Sequence, residues 1–479
     1  MNFASLCFWH WNNSRFQIII LIVLLVGVTH DLKGQPNYPT PADSIDAVSN
    51  EAATGSQRPA TPTYNQYLVP ALETAGINVF VFFLNKHALG NPSWTNISCK
   101  TVKYNITHGF VWDSDGFEMN YLFHPYSGAL SHTAARSSGL SFWKSIAYPF
   151  AGSLMWELAM EAEQPSINDL INTTASGIVL GEITFRVSSL LLNESTTGGE
   201  RIWREAAAGI LSPMNGLNRI ISGKSWRVNP RPRNPDYSIS VSAGMLGLFE
   251  DRRLYQKQPH GYLKYQMTYG NPFTAVPVKP FDYFTAHFGL GFTTHNTIFD
   301  IFGSGLLAGK RIRLFNHDKT LVGIFKNFNY LNTAIYRAGG TSVGTGLLTN
   351  TTLSARASLK SFAMASVILM GGVDSPYAQA MQRDYNLGPG LGGKMETAVA
   401  FADLGKVYAA YDPTWLHVVS GAKGTEFVSF SRAGLQAMVY HSVVWSFEYL
   451  SYYHSGSYSS YPSVRKNNYA VLSYITVTL

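Results

Sequence analysis

His124, Glu157 and Asp169 are the residues whose types best suit chemistry in this chain. Imidazole and carboxylate are both bases and both metal ligands, so a histidine with two carboxylates can move protons or hold Zn²⁺. These three belong to a polar string set in apolar surroundings, which also contains Asn120, Arg136, Glu163, Asn168, Glu182 and Arg186. Three roles compete for the string. In the first, Glu157 and Glu182 lie on apolar helices and need partners there. Arg136, Arg186 and His124 then complete a satisfied network that locks the helices together. In the second, the chain is a lipid-modifying hydrolase with His124, Glu157 and Asp169 as acid, base or metal ligands. In the third, the cluster binds or transports a solute. The residue types name neither a metal nor a cofactor.

The elements that must position these groups are helical. One helix is predicted from Tyr64 to Lys86, and a second from Ser141 to Glu161 with a kink from Pro149. Ser166 has the N-cap position of a third, with Asp169 in the place of the capping-box Glu. This helix runs from Ile167 to about Leu192. Glu182 and Arg186 are four residues apart on it and face the same way. Its Gly177 and Gly181 have the spacing that lets another backbone approach closely. Helices this apolar must be covered on most sides. They can fill a barrel lumen, lie against the inner leaflet or form a compact periplasmic domain. A pair of spanning helices beside a barrel is the disfavoured arrangement.

The motifs of 108–205 resemble a family of Gram-negative outer-membrane proteins, numbered 3943 among domains of unknown function. The resemblance rests on Asn120, the His124 to Gly128 turn, Ala135 to Gly139, Ser153 to Glu157, Glu163 to Asp169, and Gly177 to Arg186. The chain departs from the pattern at Ser131, His132 and Thr133. The resemblance implies an outer-membrane location and no activity. Over four positions, the His, the helical Glu, the Asp turn and the paired glycines also resemble small membrane-helix proteins related to teicoplanin-resistance protein Z.

Downstream, 237–479 alternates as a transmembrane β-barrel does. Phe284, Ala286, Phe288, Leu290 and Phe292 suit lipid, while Thr285, His287, Gly289 and Gly291 suit water. Only helices and closed barrels satisfy every backbone group inside a bilayer. Strand starts are predicted near Tyr237, Gly261, Pro280, Thr297, Lys319, Ile335, Ala355, Gly388, Gly405, Glu426, Val443 and Asn468, which makes an antiparallel barrel of about twelve strands. A lumen of this width, with inward charges such as Lys264, Lys394 and Glu396, fits a plugged barrel better than an open porin. A narrow channel is the alternative.

Charged residues are 14% of the chain, too few for an ordinary soluble protein and in keeping with a barrel. The net charge of +7 is spread along the sequence and gives nucleic-acid binding no support. Residues 1–34 read as a signal peptide, with Arg15 before an apolar run and cleavage between Thr29 and Gln35. Cys99 is then the single mature cysteine, so no disulfide or thiolate metal site forms. A polar tether over 35–65 leads to a mainly helical region over 66–226. Pro230, Pro232 and Pro235 make 227–236 a linker into the first strand. No nucleophile elbow and no His-Glu-x-x-His occurs. His441 and Ser442 are adjacent and so face opposite sides of a strand. The expected place is the outer membrane after export. The expected partners are outer-membrane lipid, a lipid or glycan ligand, and the barrel-assembly machinery during biogenesis. The expected role is envelope maintenance or lipid and glycan handling.

Overall fold

The computed structural model describes residues 64–229, 235–250, 252–273, 279–292, 297–314, 317–377, 383–440 and 442–479. The expected signal peptide, nearly all of the expected tether, the middle of the expected linker and His441 lie outside these residues.

Twelve antiparallel strands form the barrel. They are β1 (Tyr237–Glu250), β2 (His260–Tyr269), β3 (Phe284–Phe292), β4 (Thr297–Leu314), β5 (His317–Asn332) and β6 (Arg337–Ser354), followed by β7 (Ala357–Asp374), β8 (Tyr385–Phe401), β9 (Gly405–Val418), β10 (Gly424–Tyr440), β11 (Val443–Tyr458) and β12 (Val464–Thr478). Each pairs with its neighbours in sequence. β12 returns to β1, from Ser240 opposite Thr478 to Phe249 opposite Tyr469, so no edge is left open. Every strand start falls within four residues of the position expected from alternation.

Inward side chains fill much of the lumen. At its centre Lys264 faces Glu448 at 3.7 Å and His287 faces Asp300 at 3.1 Å. Toward the end where β1 begins, Leu306, Leu321, Phe325 and Met364 form an apolar cluster. At the other end, the 333–336 turn folds inward: Tyr336 stacks on Tyr452 at 5.3 Å, and Asn468 donates to the Ile335 carbonyl. Between these layers lies a cavity of about 180 Å³. The filling is thus made of barrel side chains and one turn, with no inserted helix among the described residues.

The helices lie elsewhere. They are α1 (Tyr64–His87), α2 (Cys99–His108), α3 (His124–Ser137), α4 (Phe142–Ser145), α5 (Ala147–Met155), α6 (Ile167–Leu191), α7 (Gly198–Leu211) and α8 (Pro213–Ile221). The break between α4 and α5 falls at Ile146, next to Ser145, whose carbonyl Pro149 cannot reach with a backbone N–H. Their packing settles which side of the wall they occupy. Phe302, on β4, lines the lumen, and its neighbour Gly303 points the other way; a Cβ on Gly303 would meet Ile183 at 2.6 Å. Gly339 and Gly372 likewise meet Tyr121. The outward-pointing Ile239, Met267, Phe284, Phe328, Met370 and Leu387 are all buried, although on a bare barrel they would face lipid. The helical region therefore packs against the outside of the wall. This corrects the expectation of a lumen plug, helices on the inner leaflet or a separate periplasmic domain: the helices lie beside the barrel, the arrangement the apolar pattern disfavoured. The signal was hidden because helix-facing and lipid-facing wall positions are apolar alike.

α6 runs the height of the wall. Near its start, Asp113 meets Arg383 in the 375–384 loop; near its end, Arg186 donates to Asp282 and the Pro280 carbonyl in the opposite turn. Twenty-five residues at about 1.5 Å each match a bilayer core of roughly 30 Å. α1 is long and apolar enough to cross a membrane, and Leu72, Phe80 and Phe83 lie bare on it. On the uncovered wall Val367, Leu391, Met395 and Val407 are bare too. α7 and α8 bury Arg201, Arg204 and Arg219 and expose Ile202, Ile210, Ile220 and Ile221. One apolar surface thus continues from wall to helices, as lipid requires.

The tightest helical contact is α3 on α6. A Cβ on Gly128 would sit 1.8 Å from the Thr173 carbonyl oxygen, and one on Gly177 would sit 2.7 Å from the Gly128 backbone. Neither backbone can give way cheaply. Gly177→Val is expected to lower the stability of the helical region by about 3 kcal/mol or more. Chemical denaturation followed by tryptophan fluorescence checks this, while heat-modifiable gel migration reports that the barrel still closes.

Candidate functional site

Backbone features bring the reactive residues together. Val111 and the Pro165–Ile167 segment exchange hydrogen bonds, Val111 N–H to Pro165 O and Ile167 N–H to Val111 O, both at 2.8 Å. This pins 111–115 beside the start of α6. A π-helical turn, Met119–Phe123, runs directly into α3 and delivers Asn120 and His124. A second π-helical turn, Trp156–Met160, ends α5 and buries Glu157. Such turns recur at functional sites because the extra residue redirects side chains. Ser166 caps α6 as the sequence implies, its hydroxyl accepting from the Asp169 N–H.

The His124 Nε2 lies 3.4 Å from Asp169 Oδ2 and 3.5 Å from Asp115 Oδ2. Its Nε2 is buried and takes no hydrogen bond. Asp169 is held by Asn168, whose Nδ2 is shared among Asp169 Oδ1, Asp113 Oδ1 and Asn120 Oδ1 at 2.9, 2.6 and 2.8 Å. Asn120 in turn donates to the Asp115 carbonyl. Glu157 Oε2 accepts from the Ser166 N–H at 2.7 Å. The Asp169 side chain is 5% exposed, His124 16% and Asp115 44%, so the cluster is deep at one side and open at the other.

Burial works against charging the His124 ring, but Asp169, Asp115 and Glu157 around it raise its pKa to about 10. Burial, with Glu161 as a like-charged neighbour, raises Glu157 to about 9. Burial and nearby acids raise Glu161 to about 8. At neutral pH the site thus holds a cationic imidazole beside Glu157 and Glu161 carboxyls that keep their protons. It can donate a proton, accept one, or trade both for a cation.

Glu182 has a different fate. It is fully buried and receives His132 at 3.1 Å, Arg136 at 2.8 Å and Arg186 at 2.8 Å. Arg136 also donates to the Leu140 carbonyl. Both oxygens of Glu182 are used, so it serves as the network that locks α3 to α6. The expected residues therefore divide. His124, Glu157 and Asp169 converge, with Asn120 and Asn168 as their supports. Arg136, Glu182 and Arg186 form the satisfied network. Glu163 is exposed at the rim. His124 does not serve as a partner of Glu182; His132 does. Asp113, Asp115 and Glu161 complete the cluster although sequence reasoning gave them no role. Asp113 and Asp115, two positions apart, were the available signal, and only the Val111 bridge shows that they reach α6.

Residues 109–214 match the model of a family described as a domain of unknown function, DUF3943. No curated protein sequence matches the chain. Among solved structures, the barrel half is similar to an outer membrane channel from Pseudomonas putida F1, at 6% identity and TM-score 0.29, covering 52% of this chain and 97% of that one. It is also similar to the CymD monoaromatic hydrocarbon channel, at 9% identity and TM-score 0.23, covering 51% and 88%. A third is the Pseudomonas putida toluene transporter TodX, at 6% identity and TM-score 0.22, covering 52% and 89%. At these values the likeness says nothing about what this barrel handles.

Removing the Glu182 charge leaves Arg136, Arg186 and His132 facing a neutral amide in a buried place. Glu182→Gln is expected to cost about 3–5 kcal/mol of stability in the helical region, measured by denaturant unfolding against wild type.

Proposed function

Taking the membership of residues 109–214 in DUF3943 as the premise, we propose that the chain is an outer-membrane protein whose helical region acts on a lipid or a lipid-linked glycan. The barrel is its anchor and its scaffold. The observation that carries this reading is the convergence of His124 with Asp115 and Asp169, partly open, on helices packed against the lipid side of the wall. Surface charge facing bulk water would not need such a setting. A site reached from the bilayer would.

Loop lengths support a side. The site lies at the end of the barrel away from Tyr237 and Leu479, beside the 375–384 loop. Tyr255 and the rest of the connection between β1 and β2 lie at that end as well; at the other end 355–356 and 402–404 are tight turns, and the connection between Tyr269 and Phe284 is the one long exception. Bacterial barrels keep short turns in the periplasm and longer loops outside. The cluster then serves the outer leaflet. In the reaction, water bonds to the acyl or phosphoryl centre as the bond to the leaving oxygen breaks; protonated Glu157 supplies the proton that oxygen gains, and its carboxylate then takes the one the water has lost. Asn168 and Asn120 hold the acids in place.

A second reading uses the lumen. The charged belt of Lys264, His287, Asp300, Lys394, Arg432 and Glu448 around the cavity suits a narrow path for a small polar solute. The apolar layer at Leu306, Leu321 and Phe325 and the inward turn at Tyr336 oppose it.

In vesicles made from outer-membrane lipid, wild type is expected to generate a hydrolysed lipid product visible by mass spectrometry. Glu157→Gln is expected to slow it about 100-fold or more with barrel closure unchanged. No product from wild type sinks the lipid reading. In planar bilayers the protein is expected to be electrically silent; defined single-channel steps would favour the lumen instead.

A further inference from the structure

We infer that Asp115, His124 and Asp169 form a site for one divalent transition-metal ion, an inference that rests on the proposed role of the same cluster. One ligand atom from each residue lies within 4.8 Å of the other two. Zn²⁺ sites place nitrogen and oxygen ligands about 2.1 Å from the metal, so two ligands of a tetrahedron stand about 3.4 Å apart. The two Nε2 to carboxylate separations are 3.4 and 3.5 Å.

An ion pair alone would look different. A protonated imidazole draws a carboxylate to about 2.7–2.9 Å, and it chooses one partner. Here Nε2 stands at nearly equal distance from two carboxylates and makes a hydrogen bond to neither. A shared ion would give that buried, unpaired atom its partner.

The surroundings fit. Asn168 orients Asp169 through Oδ1 and leaves Oδ2 for the ion. Asn120 fastens the Asp115 backbone, and Asn168 ties Asn120 to the same frame. Supports of this kind set ligand direction in metal sites. Three protein ligands and a half-exposed Asp115 leave a further position for water or substrate, the arrangement of a catalytic rather than a structural site. The imidazole ligand favours Zn²⁺ or Fe²⁺ over Mg²⁺ or Ca²⁺, which take oxygen sets.

The test uses the full chain in detergent, stripped with chelator and dialysed against Zn²⁺, with Co²⁺ as the spectroscopic probe. One ion per chain is expected, with visible ligand-field absorption from Co²⁺. His124→Ala and Asp115→Asn should each weaken binding by about 100-fold or more. Asp115 is the more exposed of the two, so its variant guards against misfolding, and gel migration confirms barrel closure. Glu163→Gln should bind as wild type does. Less than stoichiometric binding by wild type, equal binding by both ligand variants, or preference for Ca²⁺ over Zn²⁺ overturns the inference. Stoichiometric Zn²⁺ without lipid turnover upholds the ion site and removes the lipid reaction. Turnover by chelated protein that binds no ion upholds the reaction and removes the ion site.

Discussion

Everything in the helical region depends on the close approach of α3 and α6. With Gly128, Gly177 and Gly181 at the crossing, no Cβ stands between the backbones. The same crossing sets two polar clusters at different heights of α6. At the start of the helix, Asp169 comes within reach of His124. Thirteen positions further along, Glu182 comes within reach of His132 and Arg136. Larger residues at the crossing would push both sets apart at once.

The two clusters show how differently buried charge can be treated. Glu182 is surrounded by more positive charge than it carries and has no free lone pair directed at space. Such a network adds specificity of packing and leaves nothing over for a ligand. Around His124 the balance is reversed. One imidazole faces Asp115, Asp169 and Glu157, with Glu161 beyond, and carboxyl oxygens exceed the donors present. Excess acceptors converging on a small opening describe a site rather than a brace.

The outward position of the helices changes what the barrel is for. Covering Phe328, Met370 and Leu387 turns part of the wall into a protein interface, and the lumen is filled by the barrel's own residues. Tyr121 shows the joint most clearly. It packs on Gly339 and Gly372, where the lack of side chains lets the ring reach the strands. The glycines that a strand pattern treats as weak points are the seat of the helical region.

Much of this was legible from the residues alone. Alternation located all twelve strands, because a wall between lipid and lumen demands a two-residue period regardless of what packs on it. The Ser166 cap, the close helix pair at Gly177 and Gly181, and the pairing of Glu182 with Arg186 followed from spacing within one helix. Contacts between distant segments did not. Nothing in local sequence tells whether an apolar helix meets a lumen, a leaflet or the outer wall, since all three reward the same apolar side chains. Nor does it tell that Asp115 stands beside Asp169, a neighbour only because Val111 pairs with the α6 cap. Periodic and short-range constraints were determined by the sequence itself; the site, which joins three segments through a backbone bridge and two π turns, was decided by the tertiary structure.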